Sequence, residues 1–396
     1  MKPIAYLLFF TILITASVIP VHATDVNYPS LEVAELAPAL APEARSAVLM
    51  EFDTGTILYA KNMDEKLPPA SITKVMTMLL IFEALDQGKI TYDDQVRVSE
   101  NASSMGGSQI FLEVGEVMSV RDLLKGVAVA SGNDAAVALA EHVAGTEEAF
   151  IKAMNEKAEE LGLKNTHFVN TTGLPAENHY TSAHDIAIMS RELLKYSDVI
   201  QFTSIYEDYL RKESKNPFWL VNTNRLVKFY EGVDGLKTGY TSEAKFCLTA
   251  TAKRDEMRLV AVVLGEPSSK VRNKEISSMF DYAFSQFQLH TIHEAGEPLE
   301  ELRVDKGKIA RVSIHSPYRV SVLLRKGEKA DELETKLQLP EMIHAPLEKG
   351  TELGKLIISR DGAELASYPL VAQEEVAKAN YFDLMRRVSQ YFLLQP

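Results

Sequence analysis

Apolar positions along the chain follow two periods, and the changes between them outline the elements. Residues 46–52 and 56–60 read as strands, with Asp53-Thr54-Gly55 between them as a hairpin turn. After Pro68-Pro69 the period lengthens. Val75, Met78, Leu79, Phe82 and Leu85 share one helical face, and Gly88 ends that helix. Residues 101–107 read as a loop of small residues. Ser119 with Asp122 three positions on opens a second helix, whose apolar face is Leu123, Leu124, Val127 and Ala128. The pattern stops at Ser131-Gly132-Asn133 and resumes over 134–143, a tight corner between two apolar helices. Residues 150–161 and 185–194 form further helices around a polar, turn-rich stretch at 166–184. Residues 246–252 and 259–264 are strands of an antiparallel meander, and Lys237-Thr238-Gly239 lies on its first strand. Ile276, Met279, Phe280, Ala283, Phe284 and Phe287 mark a long buried helix that packs on the sheet.

From about residue 290 the texture becomes short alternating runs at 310–315, 318–324, 335–339, 355–359 and 363–368, punctuated by turn dipeptides, as in a small β-sandwich. Residues 374–394 return to helical period. Tyr381, Leu384, Met385, Val388, Tyr391 and Phe392 make one face, and Lys378, Asp383, Arg386, Arg387 and Gln390 the other. A terminal, aromatic and basic helix suits a membrane interface; packing on the β domain is the alternative. At the other end, Lys2, an apolar run over 4–19 and Val21-His22-Ala23 make residues 1–23 a signal peptide. Residues 24–44, with two prolines four apart at 38 and 42, form a linker. The expected organisation is therefore signal peptide 1–23, linker 24–44, catalytic domain 45–289, β-sandwich 290–372 and amphipathic helix 373–396.

Composition narrows the function. A chain of 396 residues, 46% hydrophobic, builds sizeable cores, and a net charge of −13 argues against nucleic acid as partner. The single cysteine, Cys247, excludes an intramolecular disulfide and reads as a small core residue on a strand. His167, His179 and His184 lack metal-ligand spacing and read as structural or surface residues.

Three short motifs carry chemistry. Ser71 and Lys74 lie one turn apart at a helix mouth, where a hydroxyl meets an amine that acts as a base once it is neutral. Alone, this is also the pattern of a helix cap and a solvated lysine. Ser131-Gly132-Asn133 places a hydroxyl and an amide at a corner. Gly239, beside Lys237 and Thr238, lets a ligand come close to a strand, or else is merely a strand end.

In this order the three motifs form a set shared by serine β-lactamases and penicillin-binding proteins. Residues 46–287 resemble the low-molecular-mass penicillin-binding proteins, the serine-type D-alanyl-D-alanine carboxypeptidases. The resemblance is carried by Pro69-Ala70-Ser71-Ile72-Thr73-Lys74, Ala130-Ser131-Gly132-Asn133-Asp134-Ala135 and Asp234-Gly235-Leu236-Lys237-Thr238-Gly239. It implies an α/β (α+β) β-lactamase/transpeptidase-like domain, an antiparallel sheet flanked by helices, followed by the β domain and terminal helix. It also implies that Ser71 attacks the bond between the terminal D-alanines of peptidoglycan stem peptides, with Lys74 taking its proton and Ser131 relaying one to the leaving group. Asn133 would bind the substrate amide, Lys237 would assist, Thr238 and Arg272 would hold the terminal carboxylate, and the N–H groups of Ser71 and Tyr240 would form the oxyanion hole around Gly239. Which lysine is the working base stays open. No metal or organic cofactor is implied; β-lactams would acylate Ser71. Export would place the enzyme at the outer face of the cytoplasmic membrane.

Two neighbours share the motifs. A class A β-lactamase needs a glutamate-bearing loop, and Glu177 lacks its Glu-x-x-x-Asn context. Endopeptidase action on cross-links stands closer. A rival of another class is a sensor that stays acylated; D-alanine release from a D-Ala-D-Ala peptide separates it from an enzyme.

Overall fold

The computed structural model describes residues 38–383 and Met385. The expected signal peptide, most of the linker and half of the terminal helix lie outside them. The first domain is built on a five-stranded antiparallel sheet. Its strands are β1 (Ser46–Glu51), β2 (Ile57–Lys61), β3 (Val233–Thr241), β4 (Lys245–Arg254) and β5 (Met257–Glu266), in spatial order β2-β1-β5-β4-β3. Both faces of the sheet are buried, so the central strands β1 and β5 read as mainly apolar runs rather than alternating ones. In β1, Val48 and Met50 join one core while Ala47 and Leu49 join the other; in β5, Val260 and Val262 alternate with Leu259 and Ala261 in the same way. The register Val48↔Val262 and Leu49↔Ala261 keeps the two sets on their own sides. Each such side chain taken from water contributes about 1.5–3 kcal/mol.

One face carries the helices α1 (Lys74–Asp86), α2 (Val120–Ala130), α3 (Asn133–Ala144), α4 (Glu147–Glu160) and α5 (Ala183–Leu194). The other is covered by α6 (Ser269–Gln286), through Ile276, Met279, Phe280 and Ala283. Ser119, Thr146, Ser182 and Ser268 each accept a backbone N–H at a helix start, so four of these helices begin at a side-chain cap.

The second domain pairs a two-stranded ribbon, Phe287–His293 with Val320–Arg325, and a six-stranded sheet, and apolar residues of both share one core. Helix α6 runs into Phe287–His293 without a linker. Arg319 reaches back to Asp53 and Glu256, and Lys326 Nζ donates to the Phe284 carbonyl.

Several expectations are corrected. Residues 100–103 form a helical turn, capped by Ser99, where a loop was expected. Residues 374–380 are not helical: Val376 is buried in the β-domain core and exchanges both backbone hydrogen bonds with Leu347, so helix begins only at Tyr381. Burial outweighs the helical period there. Strands Phe287–His293, Pro298–Asp305 and Met342–His344 were not foreseen. The end of the linker is tied down, since Ala41 and Ala44 are buried and Lys61 Nζ donates to the carbonyls of Ala41, Pro42 and Ala44.

Candidate active site

The Ser71 segment begins with an unusual backbone. Ala70 sits at φ 48, in the left-handed region, and opens the tight turn Ala70–Thr73 that leads into α1. A hydrogen-bond chain holds it there. The Val169 N–H donates to His179 Nδ1, so the ring proton lies on Nε2, 2.8 Å from Thr73 Oγ1, and Thr73 Oγ1 donates to the Ala70 carbonyl. Burial holds His179 down at about 4, so it stays neutral and the chain keeps its polarity. His179 is thus structural, in direct support of the turn that carries Ser71.

Gly239 on β3 faces this turn. A Cβ there would stand 2.9 Å from the Pro69 carbonyl oxygen and 3.1 Å from Ala70 Cβ. The glycine is required because the Ser71 turn lies against the strand, a reason the sequence reading did not contain.

Lys74 is fully buried, with Nζ 3.2 Å from Ser71 Oγ. It donates to Asn133 Oδ1 at 2.6 Å and to the Thr172 carbonyl at 2.7 Å. A neutral amine has two N–H bonds and one lone pair. The two acceptors use the N–H bonds and leave the lone pair for Ser71. Burial first, then the Lys237 cation, hold Lys74 well below its ordinary value, while Asp134 opposes them. Asp134 is itself buried, accepting the N–H groups of Ile110 and Leu112. Thr172 was missed from the sequence because a backbone carbonyl has no side-chain signature. Its position comes from Asn170, whose Oδ1 accepts the N–H groups of Thr172 and Gly173.

Ser131 closes α2 in the left-handed conformation, φ 63, and its buried hydroxyl has no hydrogen-bond partner among the described residues. Asn133 holds Lys74 through Oδ1 and donates through Nδ2 to the Gly106 carbonyl, so both ends of its amide are engaged. Lys237, also buried, donates to the Thr238 carbonyl; burial and Arg272 push it down to about 7. Thr238 Oγ1 donates to Thr223 Oγ1, another residue the sequence reading missed.

Ser71, Ser131, Thr238, Gly239, Tyr240 and Arg272 line one cleft of about 700 Å³. Lys74, Asn133 and Lys237 are buried beside it. Tyr240 is exposed, its ring centroid 4.5 Å from that of Phe246 and the two rings tilted by 38°. Arg272 stands in the first turn of α6, and burial lowers it to about 10. Arg225 and Lys270 line the same cleft. Glu177 is exposed and outside this lining. Among the described residues no cluster of His, Cys, Asp and Glu is suited to hold a metal ion.

Comparison with known proteins shows the family of the chain. A family model described as D-alanyl-D-alanine carboxypeptidase matches residues 32–268, and one described as the C-terminal domain of penicillin-binding protein 5 matches residues 287–378. The D-alanyl-D-alanine carboxypeptidase DacF of Bacillus subtilis (strain 168) is 54% identical over 348 residues, covering 88% of this chain and 90% of its own length. DacC of Escherichia coli (strain K12) is 34% identical over 363 residues, again 88% and 90% of the two chains. The crystal structure of penicillin binding protein 5 from Haemophilus influenzae superposes with a TM-score of 0.69 at 36% identity, covering 85% of this chain and 98% of that one.

Proposed function

The chain belongs to the serine-type D-alanyl-D-alanine carboxypeptidase family, and from that premise we propose how its cleft performs the reaction. The activity is hydrolysis of the terminal D-Ala–D-Ala bond of peptidoglycan stem peptides, and the family is a target of β-lactams.

Ser71 Oγ attacks the carbonyl carbon of the penultimate D-alanine while Lys74 accepts its proton. The observation that carries this assignment is the Lys74 environment: full burial, a nearby cation and two acceptors for its N–H bonds. The N–H groups of Ser71 and Tyr240 bind the oxyanion, each donor contributing roughly 3 kcal/mol. Thr238 and Arg272 hold the terminal carboxylate at the basic end of the cleft. Ser131, whose hydroxyl is unpartnered, passes a proton to the departing amine with Lys237 alongside. Asn133 holds Lys74 in place and offers its amide to the substrate backbone. Water then hydrolyses the acyl-enzyme.

Residues 1–23 direct export, and the terminal helix lies on the membrane surface. The support is compositional: the apolar run after Lys2, and Tyr381, Phe382 and Met385, exposed where that helix begins. Among the described residues no helix is long and apolar enough to cross a membrane.

The test is D-alanine release from a D-Ala-D-Ala peptide by the purified protein, with Ser71→Ala alongside. Ser71→Ala is expected to lose at least about 10³-fold in kcat/KM and all penicillin labelling at residue 71 by mass spectrometry. Release that survives the substitution overturns the assignment.

A further inference from the structure

A second cavity, of about 610 Å³, adjoins the Ser71 turn. Ser71 and Tyr240, whose N–H groups bind the oxyanion in the proposed mechanism, line the cleft. Their immediate neighbours Ala70 and Thr241 line the second cavity. A substrate with its carboxylate at Thr238 and Arg272 and its reacting carbonyl between Ser71 and Tyr240 has a fixed direction. Its residues before the penultimate D-alanine continue past Ala70 and Thr241, one strand residue or roughly 3 Å beyond the oxyanion. The third stem residue is therefore the first to meet this cavity, and a volume of this order holds a long side chain.

Three charged residues line the cavity: Lys66, Glu177 and Glu243, all exposed. They come from three separate segments, and each segment is held. Leu67 exchanges both backbone hydrogen bonds with Thr181, which ties the Lys66 segment to the stretch that carries Glu177. Lys66 Nζ stands 4.6 Å from the centroid of the Tyr180 ring, another lining residue. His167 Nδ1 lies 2.7 Å from the carbonyl oxygen of Asn178, next to Glu177. Glu243 sits in the turn between β3 and β4, where the Ala244 N–H donates to Thr241 Oγ1. Among the described residues neither carboxylate has an ion-pair or hydrogen-bond partner, and the Lys66 ammonium has only the Tyr180 ring. Two anions and one cation that serve no neighbouring charge thus surround a cavity that begins at the turn carrying Ser71.

We propose that this cavity is the subsite for the third stem residue and selects a diamino diacid, whose side chain ends in both an amine and a carboxylate. Charge complementarity decides the class. An apolar or acylated side chain leaves all three charges without a counter-ion. A lysine side chain offers Glu177 and Glu243 a cation but brings it toward Lys66. A side chain that ends in an ammonium and a carboxylate serves the two glutamates and the lysine together. Exposed pairs of this kind are individually weak, so the subsite acts on the choice of substrate and not on the chemical step. The inference rests on the carboxypeptidase reading, because Ser71 and the carboxylate site set the direction of the peptide.

The experiment gives the full protein three pentapeptides that differ only in the third residue, meso-diaminopimelate, L-lysine or Nε-acetyl-L-lysine, and follows D-alanine release. kcat/KM is expected to fall about fivefold from the first to the second and again to the third. Lys66→Ala is expected to bring the diaminopimelate peptide down to the rate of the lysine peptide, and Lys66→Arg to keep the preference. Glu177→Gln and Glu243→Gln are each expected to slow the two free-amine peptides about threefold, mainly through KM, and to leave the acetylated one at the parental rate. Penicillin acylation, which presents no such side chain, should stay within about twofold in every variant and is the control for folding. Equal rates on the three peptides or a preference for lysine overturn the proposal. So does an unchanged diaminopimelate rate in Lys66→Ala, Glu177→Gln and Glu243→Gln, or an equal loss on every peptide. No D-alanine release from any of the peptides by the parent protein overturns the carboxypeptidase reading itself.

Discussion

At the scale of single residues, the proposed mechanism makes two buried lysines, Lys74 and Lys237, responsible for the pH dependence. Lys74 offers its lone pair only above its own pKa, which burial and Lys237 hold well below 10.5, so acylation rises with pH on the acid side. Lys237 loses its cation above about 7, so the rate falls again on the alkaline side. Burial is the larger cause for Lys237, and the Arg272 charge is the second. Arg272→Gln is therefore expected to move the alkaline limb of kcat/KM upward while raising KM. Stopped-flow acylation by a chromogenic penicillin over about pH 5–10 reads both effects. An unmoved alkaline limb would show that a different group titrates there. A second buried group reports on stability. Glu266 is fully buried, its oxygens have no hydrogen-bond partner among the described residues, and it faces Glu275, which accepts the N–H groups of Glu43 and Ala44. Burial and then Glu275 push Glu266 up to about 9 from 4.5. Between those values the folded state keeps a proton that the unfolded chain has released, so stability falls as pH rises through the window. Glu266→Gln carries a permanent donor. It should melt above the parent at about pH 8, with the gap closing toward pH 4.5. Thermal melts at both ends decide, and a gap independent of pH counts against a proton retained on Glu266.

At the scale of elements, catalytic geometry depends on a turn pressed against a strand. Gly239→Ala puts a methyl group 2.9 Å from the Pro69 carbonyl, at a cost of about 1–3 kcal/mol, and pushes the turn that carries Ser71. Activity should fall by more than stability alone explains, about tenfold or beyond in penicillin acylation, measured beside urea denaturation. Parental acylation in a stable Gly239→Ala protein would mean that the strand does not position the nucleophile. Gly173 is tighter still: its φ is +84, and a Cβ would meet the Ala70 carbonyl oxygen at 1.7 Å. The loop over 170–173 thus serves two elements at once, with Thr172 holding Lys74 and Gly173 admitting the Ala70 bend.

At the scale of the molecule, the two domains are joined by chain and by charge. Helix α6 passes directly into the β domain, and Arg325 lies over the Phe287 ring at the junction. Arg319 bridges Asp53 and Glu256 of the first domain while Lys195 sits over the Tyr318 ring. These contacts are remote from the cleft. Arg319→Ala should leave trimming of a soluble peptide within about twofold and speed proteolysis near the 286–287 junction, because partly exposed ion pairs contribute only about 0–1 kcal/mol but fix orientation. Limited proteolysis with a parallel activity assay checks this. A loss of activity equal to the gain in cleavage would mean that the β domain supports the active site.

The amino-acid sequence by itself determined the helices and the central sheet strands of the first domain in order, though not the hairpin of Glu207–Leu210 with Phe218–Val221, and it singled out the residues proposed to carry the chemistry. Periods of two and 3.6 are local, and the meander, the nucleophile helix and the corner at Ser131 each lie within a short window. The β domain was less legible. Leu302 and Val304 are buried, but charged neighbours break up their run, and Val376 sits in a helical pattern that its burial overrides. The character of the site was decided by tertiary structure. Lys74 is written like any surface lysine; it is suited to the proposed role of base because burial, the acceptors Asn133 and Thr172 and the Lys237 charge, from three distant segments, disfavour its cation. Gly239 and Ala70 constrain each other across a contact that no local pattern encodes. Periodicity records which face a residue turns inward, whereas a pKa depends on what waits there, and only the folded chain brings those groups within reach.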